Sequence, residues 1–219
     1  MKKGLLSILA LGALAVSGQA QVTRVRGGYM LRVKYTKGQS IHLDSSNTAG
    51  GLGKEMAGGK LQFKMPITMN VLNVKDGYAL VQIKLGQVKS GNRIVNPGQT
   101  AVVRLDDRNQ PKDSETPTNL GATLPKKPVK VGQTWSGSVP VSTGMGGGKL
   151  NATYRFAGLK MVGGKSVAVL TYTLSGFATG TGRITLLASD GTLNSNEMKL
   201  SIKGLGANPI TVTSLMTRG

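Results

Sequence analysis

His42 is the sole histidine among 219 residues, and the chain has no cysteine. Any Ser-His-Asp arrangement would have to use this one ring, because imidazole is the usual base in such a triad. Ile41 and Leu43 flank it. In an extended segment its side chain therefore points away from two apolar neighbours, as a solvated histidine does. No Gly-x-Ser-x-Gly elbow accompanies it. Asp106, Asp107, Asp113 and Glu115 gather nearly half of the nine acidic residues into one stretch. Clustered carboxylates can act as an acid/base pair or hold calcium. Their spacing departs from an EF-hand loop, and Arg104, Arg108 and Lys112 are interleaved with them, which predicts an ion-paired turn. Thr143 to Leu150 looks like a phosphate loop, but Thr143 stands for the first glycine, Leu150 for the hydroxyl residue, and a strand follows where a helix is required. Without cysteine there is no thiolate metal site, disulfide or lipid-modified cysteine. No catalytic residue, metal or cofactor is expected.

Positive charge is the anomaly. Lysine and arginine number 28 against nine acidic residues, a formal charge of +19. The basic residues are not a tail. They are spread along polar strand faces and loops. Outside the cytoplasm such a surface draws anionic lipid headgroups, acidic envelope polymers or extracellular nucleic acid, and the same charge also serves solubility alone. Aromatic residues make up 4% of the chain. Single-strand binders interleave aromatics with a basic groove, so specific nucleic-acid recognition is not expected. The candidate ligand-binding residues are Arg32, Lys34, Lys60 and Lys64, on the polar faces of two early strands.

The elements that must position these residues are strands. Lys2 and Lys3, the apolar run from Leu5 to Val16, and Gly18 and Ala20 at the exit read as a secretory leader cut after Ala20. Export to the periplasm or beyond follows. No later stretch is long and apolar enough to span a bilayer as a helix, and the aromatic girdles of an outer-membrane barrel are missing. Tyr29, Leu31, Val33 and Tyr35 alternate with Met30, Arg32, Lys34 and Thr36, which predicts a half-buried strand. From Lys60 to Val71 the alternation is longer, and Pro66 requires an edge, bend or bulge there. Asp76-Gly77 predicts a hairpin turn.

The order of features then recurs. Lys37-Gly38-Gln39-Ser40-Ile41 matches Val131-Gly132-Gln133-Thr134-Trp135. Gly58-Gly59-Lys60-Leu61 matches Gly147-Gly148-Lys149-Leu150, and Asp76-Gly77 matches Gly163-Gly164. Ala79 to Leu85 matches Ala168 to Leu174. This predicts two duplicated β units, 21–110 and 131–219, joined by a proline-rich connection, 111–130, after a leader, 1–20. The fold class is all-β, with antiparallel strands forming a curved sheet, a sandwich or a partly open barrel.

Leu124-Pro125, Pro128-Val129 and Gly132-x-x-Trp135, with Tyr35-x-Lys37-Gly38-Gln39 in the first half, resemble a group of secreted bacterial β-rich proteins of unknown function. The resemblance implies an exported β protein and transfers no site residue. Trp135 is expected to pack into the core. Three function classes stay open: a non-enzymatic envelope protein binding an anionic lipid or polymer, a carrier enclosing an apolar ligand such as a lipid, and a hydrolase using His42 or the acidic cluster. The sequence ranks them in that order and leaves the oligomeric state open.

Overall fold

The computed structural model describes residues 21–51, 60–90, 93–96, 98–112, 122–143, 146–202 and 209–219. The leader, Asp113 and Glu115 lie outside them. The chain is all-β, and its large sheet does not close into a barrel. A hairpin of β1 (Val22–Val25) and β2 (Gly28–Leu31) comes first, followed by β3 (Ser40–Gly50), β4 (Lys60–Lys75) and β5 (Tyr78–Leu85). A short pair, β6 (Val88–Ser90) and β7 (Arg93–Asn96), precedes β8 (Gln99–Leu105). The remaining strands are β9 (Thr134–Thr143), β10 (Gly146–Val162), β11 (Lys165–Ser175), β12 (Ala178–Leu187), β13 (Leu193–Ile202) and β14 (Ile210–Arg218). Ten of them form one antiparallel sheet in the order β8-β5-β4-β3-β14-β13-β12-β11-β10-β9.

Period-two patterning decides which face is inside. Ile41, Leu43 and Ser45 are buried on β3, while His42, Asp44 and Ser46 are exposed. Ala79, Val81 and Ile83 repeat the pattern on β5, and Leu150, Ala152, Tyr154 and Phe156 on β10. The inner faces share one core, in which Trp135 stacks on Tyr154 at 5.6 Å and Tyr154 meets Tyr172 at 5.8 Å. The Trp135 indole donates to the Thr123 carbonyl at 2.7 Å, so its polar end is satisfied as its rings pack. Pro140 sits on the edge strand β9, where proline is tolerated and discourages pairing with another chain. Pro66 lies inside the sheet, opposite Asp44 of β3. Pairing with β5 begins only at Ile67, and the Pro66 carbonyl accepts from Gly86, so the proline stands where β5 turns away.

β3-β4-β5-β8 and β9-β10-β11-β12 pair in the same order, and β13 and β14 lie between the two sets. Local detail also corresponds. Gly38 and Gln39 exchange backbone bonds with Val71, and Gly132 and Gln133 do so with Phe156. Each contact is followed at once by a bulge, Val71/Asn73 in β4 and Phe156/Gly158 in β10. The Gln39 side chain accepts from the Thr36 amide at 3.2 Å, and that of Gln133 from Lys130 at 3.0 Å. Both hairpins turn on residues with positive φ, Asp76 at 54° and Gly77 at 77°, Gly163 at 54° and Gly164 at 75°, as type I′ geometry requires.

The strand expected over Tyr29 to Thr36 stops at Leu31. The burial alternation continues, with Val33 buried and Lys34 exposed, but the ladder does not. The amides go to turns instead: Val33 donates to the Asp107 carbonyl and Lys34 to that of Asp190, both at 2.7 Å. This segment is a strap from the turn after β8 to the turn after β12. A Cβ on Gly191, whose φ is +70°, would run into the Arg32 carbonyl, so the crossing needs glycine there.

Candidate functional site

Of the four candidate residues, Arg32, Lys34 and Lys64 have described side chains, and they stand on different elements, the strap and β4. Arg32 is spent on the fold. Its guanidinium donates to the carbonyls of Leu31 at 2.6 Å, Pro125 at 2.8 Å and Lys126 at 2.9 Å, and its Nε sits 3.0 Å from an Asp107 carboxylate oxygen. It ties the Leu124-Pro125 stretch and the turn after β8 to the strap. Lys34 is exposed on the strap, away from a ladder. Lys60 opens β4, and its side chain is outside the described residues. Lys64 is exposed on the outer face of β4, where its residue partner is Ser46.

From Ser46 the register carries a continuous row across the sheet. Ser46 is opposite Leu215, Leu215 opposite Glu197, and Glu197 opposite Arg183. Arg183 faces Thr171, Thr171 faces Arg155, and Arg155 faces Thr134. Two residues along each strand runs a second row. There Gln62, Thr48, Thr213 and Lys199 are neighbours in turn, followed by Thr181, Thr173, Thr153 and Ser136. The rows exist because each of these strands alternates apolar inward and polar outward in matched register. Neighbours within a row stand about 4.8 Å apart, and the rows about 7 Å apart. Over β9 to β14 the two rows line a depression of about 760 Å³.

The chemistry of this surface is cationic and hydroxylic. Lys64, Arg155, Arg183 and Lys199 are exposed, against the single carboxylate of Glu197. None of the four joins an ion pair among the described residues. Arg155 makes one long bond, from Nε to the Gly132 carbonyl at 3.3 Å. The hydroxyls of Thr153, Thr173 and Thr181 make no bond within the protein among those residues. On the next row inward along the strands the hydroxyls are used internally, with Thr185 and Ser195 2.7 Å apart. Arg183 and Lys199 escape a scan for basic clusters because each is alone in its strand. The available signal is the outward period of Thr179, Thr181 and Arg183, and of Glu197 and Lys199.

The other candidates resolve into structure. His42 is exposed on β3, with the Ser40 hydroxyl 3.2 Å from Nε2 and the Thr68 hydroxyl 3.3 Å from Nδ1. Where a triad would place a carboxylate, a threonine stands. Asp106 accepts from the amides of Arg108 at 2.9 Å and Gln110 at 2.8 Å and pairs with the Arg108 guanidinium at 3.1 Å, the ion-paired turn that its surroundings predict. Inside the core, a cavity of about 30 Å³ lies between Ile41, Met69, Leu186 and Leu193. That is room for one or two waters, far below a lipid. No known protein family matches the chain, and no curated protein is similar to it.

Proposed function

We propose that this is an exported, non-enzymatic envelope protein that binds an anionic partner through the outer face of its large sheet. The observation that carries this is the pair of rows, where four exposed cations, and hydroxyls that make no bond among the described residues, surround one carboxylate. Cations that no internal acid neutralises keep their field for a solute. The ligand surface thus shifts from Arg32, Lys34 and Lys60 to Arg155, Arg183 and Lys199, with Lys64 retained. Export rests on the leader pattern of residues 1–20. In the same reading the two halves descend from one β unit, which the paired Gly-Gln turns and the bulges that follow them support.

The test is retention on immobilised heparin. The wild-type protein should be held at low salt and released as salt rises, through counterion release. The triple variant Arg155→Gln/Arg183→Gln/Lys199→Gln should elute at distinctly lower salt with an unchanged circular-dichroism spectrum. Equal elution of the two proteins sinks this face as the binding surface.

A further inference from the structure

The hydroxyl row narrows the partner further, on the premise that the outer face is the binding surface. We infer that the occupant is an acidic polysaccharide lying across the strands, along the row from Thr153 to Thr48. The cations and the hydroxyls offer different things. Arg155, Arg183 and Lys199 are donors only, and forked guanidinium groups match carboxylates. A bare polyanion such as polyphosphate needs nothing more. The threonine hydroxyls both donate and accept, and their accepting capacity is useful only to a ligand that itself carries hydroxyls. A uronic-acid chain carries carboxylates and hydroxyls together. Spacing agrees: an extended hexose chain advances by about one strand separation per sugar, so successive sugars meet successive strands along the row. Shape and apolar content argue against a bilayer. The surface is a depression, and Leu215 is the one large exposed apolar side chain lining it, so there is little to insert between lipids.

The experiment is calorimetric titration of the full mature chain with oligomannuronates of graded length, alongside polyphosphate of matched charge and vesicles of pure phosphatidylglycerol. Affinity for the oligomannuronates should rise with length and level off near six sugars, one for each of the about six strands from Thr153 to Thr48. Thr173→Val and Thr181→Val should each weaken the oligomannuronate by about threefold to tenfold, the worth of a hydrogen bond, and leave polyphosphate affinity unchanged. Thr173→Ser and Thr181→Ser should restore it. If polyphosphate or vesicles bind as tightly as the oligomannuronate and the valine variants are indifferent, the surface is a general polyanion binder and the polysaccharide inference falls alone. A plateau at two sugars removes the path across the strands. Absence of binding to all three probes removes the binding surface itself.

Discussion

The strap and the outer rows are both rich in arginine, lysine and hydroxyl groups, and they treat them in opposite ways. Along the strap, Arg32 meets three carbonyls and a carboxylate, the Tyr35 hydroxyl donates to Asn109 at 2.8 Å, and the amides of Val33 and Lys34 bond to two different turns. On the outer rows, the cations join no ion pair and the hydroxyls of Thr153, Thr173 and Thr181 make no bond among the described residues. Polar groups satisfied inside the protein hold it together and have nothing left to offer. Groups left unsatisfied add little to stability and keep their capacity for a ligand. Stability and binding should therefore be separable by mutation, the first lost at the strap and the second at the rows.

The largest effect belongs to the crossing at Gly191. Gly191→Ala forces a Cβ toward the Arg32 carbonyl and strains a left-handed backbone. A loss of about 4 kcal/mol, or failure to fold, is expected in urea denaturation. A loss below about 1 kcal/mol would mean that the strap is not pinned there. Arg32→Ala should come next, at about 2 kcal/mol, because it leaves three carbonyls without their shared donor, while the pair with the half-exposed Asp107 carboxylate adds little. Arg32→Lys should recover only a small part, since a point charge cannot replace a fork. Neither variant should alter heparin elution of the protein that does fold. If Arg32→Ala is as stable as wild type but elutes earlier, the assignments of strap and rows must be exchanged.

Alkaline pH tests the strap through Tyr35 and the core through Tyr172. Burial, and then the charge of Asp106, pushes the Tyr35 hydroxyl above its ordinary value of about 10. Burial, followed by the neighbouring Tyr154, does the same to Tyr172, with the Asn196 hydrogen bond opposing. Both phenols are neutral in the folded protein up to higher pH than in the unfolded chain. Their contribution is complete below pH of about 10 and declines as pH climbs from there toward the folded-state values. Thermal melts should fall steeply above pH of about 10, and Tyr172→Phe should flatten that fall. A melting temperature level across this range would show the rings to be open to water. The outer rows contain no tyrosine side chain and should leave this profile untouched.

How much of this could be read in advance differs by region. Strands β4, β5, β10 and β11 were legible because period two, an Asp-Gly or a Gly-Gly turn and long apolar series agree over many residues. The strap was half legible: its burial alternates as in a strand, but alternation does not reveal whether the amides meet a ladder or two turns. Arg32 was misleading for the same reason. Its place on a polar face opposite Leu31 and Val33 says nothing of Pro125 and Lys126, which lie far along the chain and meet it only through folding. Of the outer rows, only Lys64 and the outward period of single strands were legible, because the rows themselves depend on register across strands, and a shift of one residue would have sent Arg183 inward. The acidic turn was legible because its partner Arg108 is two residues away.

Lys64 gives the smallest and most discriminating effect. It is the candidate on which both regions make a claim: it belongs with Arg32 by position in the chain and with Arg183 by register across the sheet. Its side chain is exposed and joins no ion pair among the described residues, so Lys64→Gln should change the unfolding free energy measured in urea by no more than about 0.5 kcal/mol. Its effect on heparin elution should be small alone, since screening at physiological salt limits a cation at the far end of the row to near neighbours. Added to the Arg155→Gln/Arg183→Gln/Lys199→Gln variant, it should lower the elution salt by a further step, and paired with Lys34→Gln it should not exceed the sum of the two single effects. A strong interaction with Lys34 and none with the row would place the binding surface back in the first half of the chain.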